Sequence, residues 1–223
     1  MSQGTMRAEA GGGVAGPSRR RLSASERMPQ ILDAALEEFG ERGYGGASMA
    51  ATAARAGVAK GLIYHYFPSK AELFKAVVRS CIQPAFSELE QLVAAWPGPR
   101  AELLQRIIEF GHTRVGEEPR QQMLFKLLLA EASRFPELAE FYRAEVLARG
   151  LGLVGQVVRA GVASGEFRAD AADEPGLAAV LLAPAAMGAV WRLMIGEGRA
   201  PDRQEMCRAH VALALSGLRR QPG

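Results

Sequence analysis

Apolar residues recur along most of this chain at the spacing of an α-helix. Ile31, Ala35 and Phe39 lie four residues apart and would share one buried face. Similar stripes are separated by Gly and Pro, and runs of β-branched residues typical of strands are scarce. The pattern predicts an all-α protein of about ten helices, at approximately residues 25–42, 48–56, 59–67, one opening at 70, 83–95, 101–115, 119–134, 136–163, 174–195 and 202–219.

Two of the predicted helices are short and are joined by a tight turn. The hydroxyl of Ser48 can cap the first helix, and Gly57 suits the left-handed position that ends a helix. The second helix starts near Ala59. Two short helices joined by a Gly-containing turn form a helix-turn-helix, whose second helix can enter a DNA major groove. The sequence therefore predicts DNA binding at residues 48–67.

The same spacing separates the two faces of the second helix. Lys60 and Tyr64 lie four residues apart and would point outward to DNA. Ile63 and Phe67 share another face and would attach the helix to the rest of the domain.

Residues 56–74 read AGVAKGLIYHYFPSKAELF, and residues 31–44 read ILDAALEEFGERGY. These stretches resemble the TetR family of bacterial transcriptional regulators, and the resemblance covers roughly residues 27–86. It implies a three-helix DNA-binding domain at 25–86 and a helical regulatory and dimerisation domain at 87–223. Two positions depart from the family pattern. Thr52 stands where the family usually has a large aliphatic residue, and Ala59 stands where Ser or Thr often caps the recognition helix.

The motif suggests a role for each exposed side chain. Lys60 can bond O6 and N7 of guanine, Gly61 lets the backbone approach, and Leu62 can touch a thymine methyl. Ser48, Tyr64 and Tyr66 are expected to contact phosphates, and His65 is expected either to face a phosphate or to pack against the protein. Lys70 joins them because it lies in the first turn of a helix, and the family uses the equivalent position in this way. The expected DNA contacts are Ser48, Lys60, Gly61, Leu62, Tyr64, His65, Tyr66 and Lys70.

Residues 1–24 are Gly-rich and then basic, and we expect them to be disordered in isolation. Arg19, Arg20 and Arg21 could follow phosphates or enter the minor groove, or they could form a solvated tail. Positive charge is concentrated near the motif, because residues 1–75 carry ten Lys or Arg and seven Asp or Glu, whereas residues 76–223 carry 17 of each. This distribution favours an anionic partner at the N-terminal third.

Aromatic and Met side chains in the later helices could line an adaptable apolar cavity, although most of them could equally be core. His112 is either a polar handle for a ligand or a partly exposed surface residue. The expected ligand is small and hydrophobic or amphipathic. The candidate pocket residues are Phe110, His112, Met123, Phe125, Phe141, Tyr142, Met187 and Trp191.

Two late helices are apolar on too many sides for a single internal face. Residues 150–165 and 176–194 also contain small residues that would let helices approach closely. They predict a homodimer through residues 136–163 and 174–195, which would form a four-helix bundle across a two-fold axis. The alternative is a helix pair buried inside a monomer.

The sequence offers no catalytic constellation, no phosphate-binding Gly loop and no metal-ligand spacing among its three His, so we expect neither enzyme activity nor a cofactor or metal. Cys81 and Cys207 are far apart, which fits a reducing cytoplasm. No apolar run is expected to approach the ~20 residues that span a bilayer, and no membrane partner is expected.

These observations and the family resemblance predict a sequence-specific DNA-binding regulator, interpreted as a repressor, that binds a near-palindromic operator in double-stranded DNA as a homodimer and is released by a small apolar ligand. One alternative is a ligand-independent DNA-binding protein of the same fold that organises the chromosome. Another is a helical enzyme or adaptor that does not bind DNA.

Overall fold

The computed structural model describes residues 24–115 and 117–219. The basic arm with Arg19, Arg20 and Arg21 lies outside the described residues, so its contact with DNA remains a prediction.

Most of the described residues lie in helices, and the only extended pairing among them is an isolated bridge between Phe167 and Arg219. The all-α prediction is confirmed. The helices are α1 (Ala24–Gly46), α2 (Met49–Arg55), α3 (Lys60–Tyr66), α4 (Lys70–Ala95), α5 (Arg100–Arg114), α6 (Pro119–Glu131), α7 (Pro136–Tyr142), α8 (Ala148–Ala163), α9 (Leu177–Ile195) and α10 (Arg203–Leu218), with a π-helical turn at Arg143–Leu147 and a 3-10 turn at Ala169–Ala172.

Two stretches differ from the prediction in the number of helices that they form. The helices expected on either side of residue 83 form one helix, α4, of 26 residues that continues through Pro84. Its buried residues lie on both sides of the proline, from Leu73 to Cys81 and at Phe86, so packing holds the helix together despite Pro84. The helix expected at 136–163 is divided by the π-helical turn into α7 and α8.

The buried residues form two clusters. The first packs α1 to α4 against α6 and α7, and it contains the stacked or edge-on rings of Phe39, Tyr44 and Phe74. The second joins α5, α8, α9 and α10, with Leu104 fully buried at its centre. The helix-turn-helix therefore rests directly on helices that follow it in the chain.

The expectation that no apolar run approaches a membrane-spanning length was wrong for α9. This helix has 19 residues with a mean hydropathy of 1.8, and Pro136–Ala163 has 28 residues with a mean hydropathy of 1.3. Length and composition would allow each to cross a membrane, a test that core helices of other proteins also pass. Only 22% of each apolar window is buried within the chain. Much apolar surface therefore remains uncovered on these helices.

Candidate DNA interface and ligand cavity

The helix-turn-helix is held by short-range hydrogen bonds. Oγ of Ser48 accepts a hydrogen bond from the amide of Ala51 at 3.1 Å and caps α2. Gly57 adopts φ 64°, where a side chain would be strained, and this residue makes the turn. The amide of Val58 then donates to the carbonyl of Ala53 at 3.0 Å. These bonds fix the direction in which α3 leaves the turn.

Both departures from the family pattern have a structural account. Thr52 is buried, and its hydroxyl donates to the carbonyl of Ser48 at 3.1 Å, so the polar atom is satisfied inside the motif. Ala59 is the N-cap of α3 and supplies no side-chain hydrogen bond. The recognition helix therefore lacks a capping contribution of about 1 kcal/mol.

The two faces of α3 are separated as the spacing predicts. Ile63 is completely buried and Phe67 nearly so, which attaches the helix to the first cluster. Tyr64 is 47% exposed, and the ammonium of Lys60 lies 5.9 Å from the centre of its ring. A β-carbon on Gly61 would meet none of the described atoms within 4 Å.

The remaining motif residues flank this outer face. His65 is exposed, and its ring meets that of Tyr66 edge-on at 5.4 Å. Leu62 and Tyr66 are half-buried, and Ser48 is exposed. The exposed part of α3 therefore holds Lys60, Gly61, Tyr64 and His65, and the contacts of all the motif residues with bases and phosphates remain predictions.

Lys70 has an intramolecular role that the sequence did not indicate. Its ammonium donates hydrogen bonds to the carbonyls of Tyr44 at 2.7 Å, Gly45 at 3.2 Å and Ala47 at 3.2 Å. It also lies 4.8 Å from the centre of the Tyr44 ring. The side chain therefore satisfies carbonyls at the C-terminal end of α1, where helices leave such groups unpaired. Its contact with phosphate remains a prediction.

Arg55, in the last turn of α2, is bound by three carboxylates of α1. Its guanidinium lies 3.2 Å from Glu37 and 3.6 Å from Glu38, and it also pairs with Glu41. The hydrogen bond from Arg55 lowers the pKa of the Glu41 carboxyl, and the reciprocal bond raises the pKa of Arg55. This cluster attaches α2 to α1, so the charge of Arg55 is paired within the protein.

A cavity of about 210 Å³ lies between α4 and the later helices and is here named the central cavity. The structure brings three predicted pocket residues, Phe110, Phe125 and Tyr142, to its wall. Most of its lining is apolar, and several lining residues were not predicted. They are Ile82, Ala85, Phe86, Leu89, Ile107, Gly111, Arg114, Val115, Gln121, Leu124, Val146, Leu147, Gly150, Leu182, Ala185 and Ala186.

The other predicted pocket residues lie elsewhere. Met123 packs so closely against α1 that a β-carbon on Gly40 would come within 2.5 Å of its sulfur. Phe141 is buried in the first cluster beneath the guanidinium of Arg79. Met187 and Trp191 are exposed on α9. Met123 and Phe125, two positions apart on α6, thus face different neighbours, which residue type alone does not show.

His112 is fully buried, so it is not a surface residue. It does not line the central cavity but a separate pocket between α5 and α10, and its role as a polar handle for a ligand remains a prediction. Its Nε2 lies 3.1 Å from Nδ1 of His210 on α10, which pairs the two rings by a hydrogen bond. Burial, and then the neighbouring His210, Arg192 and Arg203, lowers the pKa of His112 to about 4. Burial also lowers the pKa of His210. Both imidazoles are therefore neutral at physiological pH.

The π-helical turn connects the central cavity to α4. Val146 and Leu147 of this turn line the cavity. Glu145, between α7 and α8, accepts hydrogen bonds from Arg79 of α4 at 2.8 and 3.4 Å. Arg149 forms a second link to α4, through Glu90 at 2.7 Å. The wall of the cavity is thereby bonded to the helix that starts directly after the recognition helix.

Comparison with known proteins agrees with this arrangement. Residues 31–77 match the model described as "Bacterial regulatory proteins, tetR family", and residues 111–213 match "Tetracyclin repressor-like, C-terminal domain". The first match contains the whole helix-turn-helix. The second contains most of the helices around the central cavity.

Three curated relatives illustrate the similarity. The transcriptional regulator BetI of Escherichia coli is 32% identical over 136 residues, which cover 53% of this chain and 70% of BetI. The repressor BepR of Brucella suis is 28% identical over 169 residues, or 73% of this chain and 80% of BepR. The activator FasR of Mycolicibacterium smegmatis is 39% identical over 98 residues, or 43% of this chain, and the match spans only 45% of FasR.

Solved structures share the fold at lower identity. FadR of Bacillus subtilis, in complex with stearoyl-CoA, is 20% identical with a TM-score of 0.66, covering 85% of this chain and 98% of FadR. A regulator from Saccharomonospora viridis, in complex with choline, is also 20% identical with a TM-score of 0.66, covering 88% of this chain and 100% of that structure. The motif, the fold and the relatives agree, and this chain belongs to the TetR family of bacterial transcriptional regulators.

Proposed function

We propose that this protein is a cytoplasmic repressor that binds a near-palindromic operator as a homodimer and leaves it when a small apolar or amphipathic ligand binds. The observation that carries the proposal is the outer face of α3. This face presents Lys60, Gly61 and Tyr64 to solvent, while Ile63 and Phe67 hold the opposite face in the core.

This face suits base reading in a major groove. An exposed Lys can reach O6 and N7 of guanine, and a residue without a side chain beside it lets the helix backbone approach the base edges. Tyr64 and Tyr66 would then contact phosphates on either side. Phosphate contacts set the position of the helix, and base contacts set the sequence preference.

The homodimer is supported by the uncovered apolar surface of α9. Val180 is 66% exposed and Met194 is 73% exposed, and Met187, Trp191 and Ile195 are exposed as well. Large contiguous apolar patches are rare on monomers and usually mark an interaction surface. Pairing of residues 136–163 and 174–195 with a second copy would bury this surface around a two-fold axis, and such a dimer would require a near-palindromic operator.

Release by a ligand is supported by the position of the central cavity. Residues of α4 and of the π-helical turn form part of its wall, and α4 begins four residues after α3 ends. A ligand acts only if it binds better to one of two conformations. The favoured conformation would hold the two recognition helices at a separation that no longer matches the half-sites. Repression is preferred because BepR, which is matched over most of its length, is named a repressor.

The test is a mobility-shift and footprinting titration on DNA flanking the protein's own gene, with excess competitor DNA at two salt concentrations. We expect a protected near-palindrome that survives competitor. Binding that disappears with competitor and salt would reflect phosphate attraction alone and would favour the chromosome-organising alternative. A failure to bind any DNA would favour the helical enzyme or adaptor.

A further inference from the structure

The charge lining the central cavity is of one sign. Arg114, at the end of α5, lines it, and the lining contains no Asp or Glu among the described residues. Tyr142 also lines it, and burial raises the pKa of its phenol, so this group stays neutral. A bound anion would therefore meet one complementary charge, whereas a bound cation would meet none.

The present partner of Arg114 is held weakly. Its Nη2 lies 3.2 Å from Oε2 of Glu88, which lies outside the cavity wall, and the two side chains are 46% and 54% exposed. Ion pairs between groups this exposed to water contribute little, because water competes and both side chains lose freedom. A ligand carboxylate can therefore replace Glu88 on the guanidinium.

The aromatic rings of the cavity also disfavour a cation. Recognition of quaternary ammonium groups uses the open faces of several aromatic rings. Here the ring of Phe86 already has the guanidinium of Arg149 at 4.5 Å, and the ring of Phe110 has that of Arg114 at 5.9 Å. A second cation at either ring would be repelled by the first.

The size of the cavity restricts the apolar part of the ligand. Its volume is about 210 Å³. An apolar protein cavity of about 150 Å³ accommodates benzene. The central cavity therefore has room for one ring or a short alkyl chain.

We propose that the central cavity binds a small amphipathic monocarboxylate, with the carboxylate on Arg114 in place of Glu88 and the apolar part among Phe86, Phe110 and Phe125. This inference rests on the proposed ligand-controlled function and specifies its ligand class. A planar guanidinium accepts a carboxylate through two parallel hydrogen bonds, which makes Arg114 the residue that selects for the anion.

The experiment compares four probes of similar size by isothermal titration calorimetry at pH 7.5, namely hexanoate, hexan-1-ol, hexylamine and choline. We expect hexanoate to bind about tenfold more tightly than hexan-1-ol, and the two cations to bind most weakly. Arg114→Gln should abolish the preference for hexanoate and leave binding of the alcohol unchanged. Glu88→Gln should strengthen hexanoate binding by removing the competing carboxylate.

Arg106→Gln is the matched control, because Arg106 lies on the same helix, is 64% exposed and pairs with Glu109 away from the cavity. It should behave as the wild type. Equal affinity for acid and alcohol, tighter binding of either cation, an unchanged preference in Arg114→Gln, or no binding by any probe would overturn the proposal. DNA binding is measured separately. Selective hexanoate binding without release of DNA would leave the ligand class intact and refute only the regulatory coupling.

Discussion

The helix-turn-helix and the central cavity are built in opposite ways. In the first, the decisive contacts join residues three to five positions apart, such as Ser48 with Ala51 and Val58 with Ala53. In the second, the wall is assembled from helices spread between residues 82 and 186. A short motif can thus specify its own geometry, whereas the cavity depends on how the whole chain packs. Five predictions, taken from the largest expected effect to the smallest, test the local contacts of the motif and the long-range packing of the later helices.

The largest effect is expected from truncating the buried anchor of the recognition helix. Ile63→Ala should lower the free energy of unfolding by about 2–5 kcal/mol, because it leaves a cavity beneath α3. Leu104→Ala is the matched change in the second cluster and should cost a similar amount. Calorimetry of thermal unfolding in the wild type and both variants would show whether the two clusters unfold in one transition or in two. If each variant shifts a separate transition, the two clusters unfold independently, and if both shift one transition, they form one cooperative unit.

Lys60→Ala should remove about 1–3 kcal/mol of operator affinity and relax the base preference, because the amine that reads guanine is lost. The protein should keep wild-type stability, since Lys60 is exposed. Competition mobility shifts with operator and scrambled duplexes would measure both affinities. Lys75→Ala is the control, because Lys75 pairs with Glu72 on α4. Equal loss on both duplexes would contradict a base-reading role.

The buried His pair should make stability depend on pH. The pKa of His112 is about 4 in the folded protein, below the ordinary 6.5, so the unfolded state binds more protons between these values. Stability is therefore complete above about pH 6.5 and falls with decreasing pH. The lowered pKa of His112 should reduce the free energy of unfolding by about 2 kcal/mol when the pH falls from 7.5 to 5. Denaturant titrations of the wild type and His112→Gln would isolate this part, because the carboxylates common to both cancel. Parallel profiles of stability against pH in the two proteins would contradict a contribution from His112.

Lys70→Met should lower stability by about 1–2 kcal/mol, because the carbonyls at the end of α1 lose their donor. DNA affinity should fall for all sequences as the motif loosens. Chemical denaturation and salt-dependent binding would be measured together, with Lys75→Met as the control. A variant of wild-type stability with a reduced salt slope would instead indicate that Lys70 contacts phosphate directly.

The smallest effect on stability is expected from Gly61→Ala, which should stabilise the protein but weaken its binding to the operator. Gly61→Ala should raise stability by about 0.5–1 kcal/mol, because Ala favours the helix and its methyl group meets no described atom. Operator affinity should fall, since the methyl group separates the backbone from the bases. Gly217→Ala in α10 has the same open surroundings and should stabilise without changing DNA binding. Unchanged operator affinity in Gly61→Ala would refute the close approach.

The comparison also explains which features could be predicted from the sequence. The helices, the turn at Gly57 and the two faces of α3 follow from spacings of three to five residues, and the fold class follows from the same periodicity. The bond from Lys70 to the carbonyl of Tyr44 spans 26 positions, and the pair of His112 and His210 spans 98. Such partners are chosen by packing, so no local pattern indicates them.

The pocket residues show the same limit. Residue type predicted an apolar cavity, but it did not show which side chains line the central cavity. Met123 and Phe125 are two positions apart on α6, yet the first packs against α1 and the second lines the central cavity. The proposed domain division at residues 86 and 87 falls inside α4 and remains a prediction.

The uninterrupted length of α4 has a mechanical consequence. Twenty-six residues form a rod of about 39 Å, and its residues that line the cavity lie about 18–29 Å from the end next to the recognition helix. A tilt of about 5° at the cavity would displace that end by about 2 Å, more than half of the axial rise of one base pair. In a symmetric dimer the two displacements would act in opposite directions. A change no larger than a side-chain rearrangement around a small ligand could then move both recognition helices away from their half-sites at the same time.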